Sequence, residues 1–169
     1  CEQITALGKV LSETHGLHSK LIAPERLHIT LHHLGDHAGV PADVVEAAGR
    51  AAVRLACPPF EVVLDRAMSF RMRRDKAPFV LRTAEGQDSA LMDFQRELGL
   101  AMAREGLGHS VDVRFTPHVT LTYAPRELPE SPVEPVRWTV REFVLIHSLL
   151  GKTQHRVLGR WSLPVPSQA

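Results

Sequence analysis

Compared with itself at an offset of ninety positions, the sequence repeats a short pattern. Gly16-Leu17 falls on Gly106-Leu107, Leu21 on Val111, and His28-Ile29-Thr30-Leu31 on His118-Val119-Thr120-Leu121. Each half reads as a helix, a Gly-Leu pair, a linker and a segment bearing His-x-Thr-Leu. Two copies are too few for a solenoid, in which three or more repeats bury a continuous core, so the repeat points to two related lobes. The expected fold is α+β and bilobal, with two pseudo-symmetric antiparallel-sheet lobes, helices on the outer faces and a central cleft, in a single domain spanning 1–169. Two lobes related by a pseudo-twofold would bring the two His-x-Thr segments into that cleft.

Hydrophobic periodicity predicts the elements. Ile4, Leu7 and Leu11 predict a helix over 2–14; Val44, Ala48, Ala51 and Leu55 predict one over 42–56, stopping before Pro58-Pro59; Leu91, Phe94, Leu98 and Met102 predict a third over about 89–105. Strands are expected over 27–34, around 60–64, over 67–73 and 78–82 with Arg74-Asp75-Lys76 as a turn, over 117–123, and near 136–147 and 155–162. A Pro-rich loop is expected from Pro125 to Pro135.

Side chains at i and i+2 of a strand share a face, so each motif presents an imidazole and a hydroxyl together while its aliphatic residues bury the other side. Two such pairs around one small volume suit phosphoryl chemistry. One neutral histidine takes a proton from water, the other, protonated, gives one to the departing oxygen, and the threonine hydroxyls donate hydrogen bonds to the non-bridging oxygens.

Other classes fit less well. The four histidines His28, His32, His33 and His37 include pairs four apart, but that spacing serves a metal only on a helix, and no glutamate accompanies them as in the zinc protease motif. No metal and no cofactor are therefore expected. There is no G-x-S-x-G, and Cys57 sits beside Pro58-Pro59, so a nucleophilic serine or cysteine hydrolase is disfavoured. With two cysteines, no disulfide framework and no signal-peptide pattern are read, and no stretch approaches the roughly 18 apolar residues of a membrane span. The expectation is a soluble, cytoplasmic monomer. A net charge of +1 over 169 residues means that any polyanion must be met by local charge.

The chain resembles the two-histidine phosphoesterase superfamily, and within it the bacterial 2′-5′ RNA ligase/RNA 2′,3′-cyclic phosphodiesterase branch. The resemblance rests on Pro24-Glu25-Arg26-Leu27-His28-Ile29-Thr30-Leu31 with Leu34-Gly35, and on Phe115-Thr116-Pro117-His118-Val119-Thr120-Leu121. It continues more weakly through residues 59–70, 78–82 and 142–163. It implies hydrolysis of a terminal 2′,3′-cyclic phosphate to a 2′-phosphate without a metal, with reversible 2′-5′ RNA ligation as a further activity. RNA 3′ ends or small cyclic nucleotides are the implied partners. By carry-over His28 and His118 are catalytic, the first as acid and the second as base, and Thr30 and Thr120 bind phosphate. Many members carry Arg three residues after the second Thr, where this chain has Tyr123; Arg26, Arg114 or His32 are the candidates to supply the missing charge. Members also begin with a short apolar strand, whereas this sequence starts at the first helix, so an N-terminal strand is expected to be missing.

Arg66, Arg71, Arg73, Arg74 and Lys76, with Phe70 and Met72 interleaved, suggest a basic hairpin that guides an RNA 3′ end and stacks a base on Phe70, with Arg73 as a further substrate contact; the alternative is a solvated hairpin with Phe70 in the core. The alternative function, from a different class, is a nucleotide- or RNA-binding module that keeps the two-histidine pocket without turnover.

Overall fold

The computed structural model describes residues 1–71, 75–149 and 151–164. The three periodic segments form α1 (Glu2–Thr14), α2 (Ala42–Ala52) and α3 (Ser89–Arg104). Among the described residues six strands follow alternating segments: β1 (Phe60–Ser69), β2 (Ala77–Arg82), β3 (His118–Ala124), β4 (Ser131–Val140), β5 (Glu142–Leu149) and β6 (Gln154–Ser162). They make a four-stranded sheet in the order β3-β2-β1-β4 and a two-stranded sheet β5-β6. The β1–β2, β2–β3 and β5–β6 pairs are antiparallel, so the fold is α+β as expected. Among the described residues no helix is long and apolar enough to cross a membrane.

The chain divides into two units, each drawn from three stretches: residues 1–29, 63–88 and 117–138 form the first, and 30–62, 89–116 and 139–169 the second. The first contains α1 and β3, and so joins the first helix to the second His-x-Thr motif. The second contains α3 and the residues that follow Ile29. The first motif is divided between the units, with His28 in the first and Thr30 in the second.

Both helices that open a repeat stop by the same device. The Leu17 N–H donates to the Ser12 carbonyl at 2.8 Å and the Gly16 N–H to that of Glu13 at 3.1 Å, while Leu107 donates to Met102 at 2.9 Å and Gly106 to Ala103 at 3.2 Å. These are Schellman turns, and they need the positive φ of Gly16 (60°) and Gly106 (87°). Leu17 and Leu107 are buried behind them.

In the first unit Leu64, Phe79, Val80 and Leu81 are almost wholly buried, each contributing about 1.5–3 kcal/mol relative to exposure. Thr122, also fully buried, is satisfied by donating its hydroxyl to the Lys20 carbonyl at 2.8 Å. In the second unit Ala47, Ala48 and Ala51 of α2 pack against Leu98, Ala101 and Met102 of α3; small residues on α2 allow the close approach. Glu105, just past α3, accepts from Arg50 at 2.7 Å and from Arg54 at 2.9 Å, and Arg50 ahead of Arg54 holds its carboxyl below the usual range.

Several boundaries differ from expectation. Residues 27–37 form no strand: burial still alternates along Leu27, His28, Ile29, Thr30 and Leu31, but no sheet partner completes a ladder. α2 ends at Ala52, four residues before the expected limit. β1 is one strand where two pieces were expected, because its buried side changes phase between Leu64 and Ala67. β4 begins at Ser131, inside the expected loop, and tolerates Pro132 and Pro135 because it lies at the sheet edge. Residues 136–147 divide into two strands, β4 and β5, interrupted at Arg141.

Candidate active site

β3 opens on His118. Its register against β2 pairs Arg82 with His118, Val80 with Thr120 and Pro78 with Tyr123, while Leu81 faces Val119 and Phe79 faces Thr122. The register shifts between Phe79 and Val80, leaving Leu121 as an extra residue. Without this bulge, Tyr123 would point away from Thr120, three residues earlier; with it, His118, Thr120 and Tyr123 stand on one face of the sheet. Val119 and Leu121 are buried on the opposite side, where a side chain at Gly8 of α1 would lie 3.6 Å from Leu121. Aliphatic residues thus anchor the strand while the imidazole and hydroxyl project from the other face.

The His118 ring meets the ring of Phe70 at 4.7 Å between centroids and 73° between planes, an edge-to-face contact. Phe70 itself is tied by its N–H to the Pro78 carbonyl at 2.9 Å. It therefore packs on an imidazole, where the sequence suggested a platform for a base.

His28 belongs to the same unit as His118 and follows the turn Pro24–Arg26. Its Nδ1 lies 2.7 Å from the Arg26 carbonyl oxygen. A carbonyl only accepts, so Nδ1–H is the donor in this hydrogen bond. Arg26 thus acts on His28 through its backbone, and its buried Nε has no hydrogen-bond partner among the described residues. Thr30 is exposed, two residues beyond His28.

His32 is placed differently from the expectation of a substrate contact. Its Nε2–H donates to the Gln95 carbonyl at 2.9 Å, and its Nδ1 accepts from the Asp112 N–H at 3.1 Å and lies 3.3 Å from the Gln95 amide nitrogen. Both ring nitrogens are engaged by the protein, and burial, opposed by the Gln95 carbonyl and by Asp112, lowers its pKa. The Ile22 N–H donates to the Leu121 carbonyl at 2.7 Å, whereas Asp112, ninety residues on, donates its N–H to the His32 side chain.

Arg114 is exposed, its N–H held by the Asp112 carboxylate at 2.9 Å. Arg73 lies outside the described residues. Among the described residues no group of three or more His, Cys, Asp or Glu side chains is placed to hold a metal. Cys57 donates its thiol to Glu97 at 2.8 Å, and burial, with that hydrogen bond, pushes it up to about 11, far from a reactive thiolate. Arg82, the cross-strand neighbour of His118, was not singled out from the sequence; only the strand register reveals it.

Residues 2–152 match the family described as the 2′-5′ RNA ligase superfamily. Among solved structures, E. coli LigT complexed with 3′-AMP is 26% identical, with a TM-score of 0.68 over 95% of this chain and 90% of that one. E. coli LigT complexed with NADP+ is 25% identical, with a TM-score of 0.71 over 96% and 92%. The Thermus thermophilus protein TT0787 shares the fold at 23% identity, with a TM-score of 0.72 over 98% and 93%. No curated protein sequence is significantly similar to the chain. The match across nearly the whole length, together with the fold, supports a phosphoesterase or ligase type of activity, and the chain belongs to the 2′-5′ RNA ligase superfamily of two-histidine phosphoesterases.

Proposed function

We propose that this protein opens the 2′,3′-cyclic phosphate at an RNA 3′ end to a 2′-phosphate by acid-base catalysis, with His28 and His118 as the pair and no metal. The observation that carries the reading is the pair of His-x-Thr motifs, one displayed on a sheet face by the alternation of β3 and the other with its Nδ1–H donating to the Arg26 carbonyl. In this reading His118 takes the proton of the attacking water and His28, through Nε2–H, protonates the leaving 3′-oxygen. Thr30 and Thr120 donate to the non-bridging oxygens as charge builds there. In this reading the Tyr123 hydroxyl, in place of the more usual Arg, donates to the same phosphate. The complex of E. coli LigT with 3′-AMP favours a nucleotide ligand for this chain too.

The superfamily description favours a second outcome from the same residues: when the 5′-hydroxyl of another RNA replaces water, the same bond to the 3′-oxygen breaks and a 2′-5′ phosphodiester forms.

The threonines separate an enzyme from a binding module. On an oligoribonucleotide ending in a 2′,3′-cyclic phosphate, Thr30→Ala and Thr120→Ala are each expected to lower kcat by about 10–1000-fold, with much smaller effects on KM. Equal losses in affinity of about 1–3 kcal/mol, with no turnover in the wild type, would identify a binding pocket only.

A further inference from the structure

Arg82 faces His118 across β2–β3, and Arg66 faces Arg82 across β1–β2. Strand alternation puts the three side chains in one row on one face, the face that bears Thr120 and Tyr123, at about 5 Å per strand spacing. Two arginines directly opposed in a sheet repel one another, so the fold gains nothing from the pair itself. The carboxylates nearby do not pair tightly with them. Asp65 lies 3.5 Å from Arg66 Nη1 and Glu130 lies 3.8 Å from Arg82 Nη1, against about 2.7–2.9 Å for a charge-assisted hydrogen bond.

Both guanidinium groups are nevertheless held. Arg82 donates from Nε to the Thr83 carbonyl at 3.2 Å and its Nη1 touches Met68 Sδ at 3.6 Å, while Arg66 Nη1 donates to the Asp65 carbonyl at 2.9 Å. These contacts engage Nε and Nη1 of Arg82 and Nη1 of Arg66, and each Nη2 carries two further N–H donors. The side chains are 25% and 32% exposed, which is enough for a ligand to reach them and enough burial to fix them.

We infer that Arg82 and Arg66 form a subsite for the internucleotide phosphates upstream of the reacting end, so that this chain prefers an oligonucleotide to a mononucleotide. The inference rests on the reading of His118 as the residue at the reacting phosphate. Planar guanidinium donors suit phosphodiester oxygens, and a row leading away from His118 follows the path of a single strand beyond its terminal phosphate.

The test compares kcat/KM on cytidine 2′,3′-cyclic phosphate and on a five-residue oligoribonucleotide with the same cyclic end, for wild type, Arg66→Gln, Arg82→Gln and the double variant. The ratio of oligonucleotide to mononucleotide is expected to fall about tenfold or more in the double variant, and the salt slope on the oligonucleotide to shrink by about 0.7 per lost phosphate contact. A ratio that stays at the wild-type value, whether both substrates suffer equally or neither does, overturns the subsite. If the wild type turns over neither substrate, the proposed activity has failed, and the subsite is read separately by fluorescence anisotropy with a 3′-phosphorylated oligoribonucleotide. Binding with the same affinity and salt slope in wild type and double variant then overturns it.

Discussion

His32 and His28 lie four residues apart in one segment, yet their rings are held differently. His28 has one ring nitrogen, Nδ1, donating to the carbonyl of its own neighbour Arg26. His32 has both nitrogens engaged by Gln95 and Asp112, and nothing in the sequence reveals this, because those partners are 63 and 80 residues away. Its lowered pKa makes a stability prediction. The unfolded ring takes up a proton as pH falls below its ordinary value of 6.5, while the folded ring resists. The contribution of neutral His32 is therefore complete above that value and is lost as pH falls through the folded pKa. Thermal melting between about pH 7.5 and 5.5 should show the wild type losing stability on acidification more steeply than His32→Gln, which is less stable throughout by about 1–3 kcal/mol. Parallel pH profiles for the two proteins would show that His32 is not held neutral.

At the scale of elements, two helix glycines make contrasting demands. A Cβ at Gly8 of α1 would meet Leu21 at 3.5 Å, an ordinary contact, whereas at Gly99 of α3 it would meet Val111 at 2.9 Å and the His32 ring at 3.2 Å. That ring cannot shift without losing its hydrogen bonds. Gly8→Ala should gain up to about 1 kcal/mol from helix propensity, and Gly99→Ala should lose about 1–3 kcal/mol to overpacking despite the same propensity gain; chemical denaturation of both variants measures the sign. Gly99→Ala at or above wild-type stability would mean that the α3 contact is looser than described. The helices were legible in the sequence because each buries one stripe, and β3 because its aliphatic residues alternate with its polar ones. The first motif alternates too and was expected to be a strand, but alternation reports only which way side chains face, not whether a neighbouring strand bonds the backbone. The β3 bulge, which decides the face of Tyr123, depends on a partner strand about forty residues away in sequence and leaves no local mark.

For the molecule as a whole, acid-base catalysis by two imidazoles requires one neutral and one protonated ring at the same time, so the rate should rise and fall with pH in a bell. Activity should persist after dialysis against EDTA; loss on chelation with recovery on added zinc would hand the chemistry to a metal. The most direct measurement is the turnover of an oligoribonucleotide ending in a 2′,3′-cyclic phosphate by wild type, His28→Ala, His118→Ala and the double variant, with the product end identified. The wild type is expected to release a 2′-phosphate end, each single variant to lose about 10²–10⁴-fold in kcat, and the double variant to fall little further, because the two rings act as a unit. A wild type no faster than the double variant, or single variants that retain wild-type turnover, would contradict the assignment of His28 and His118 as the catalytic pair.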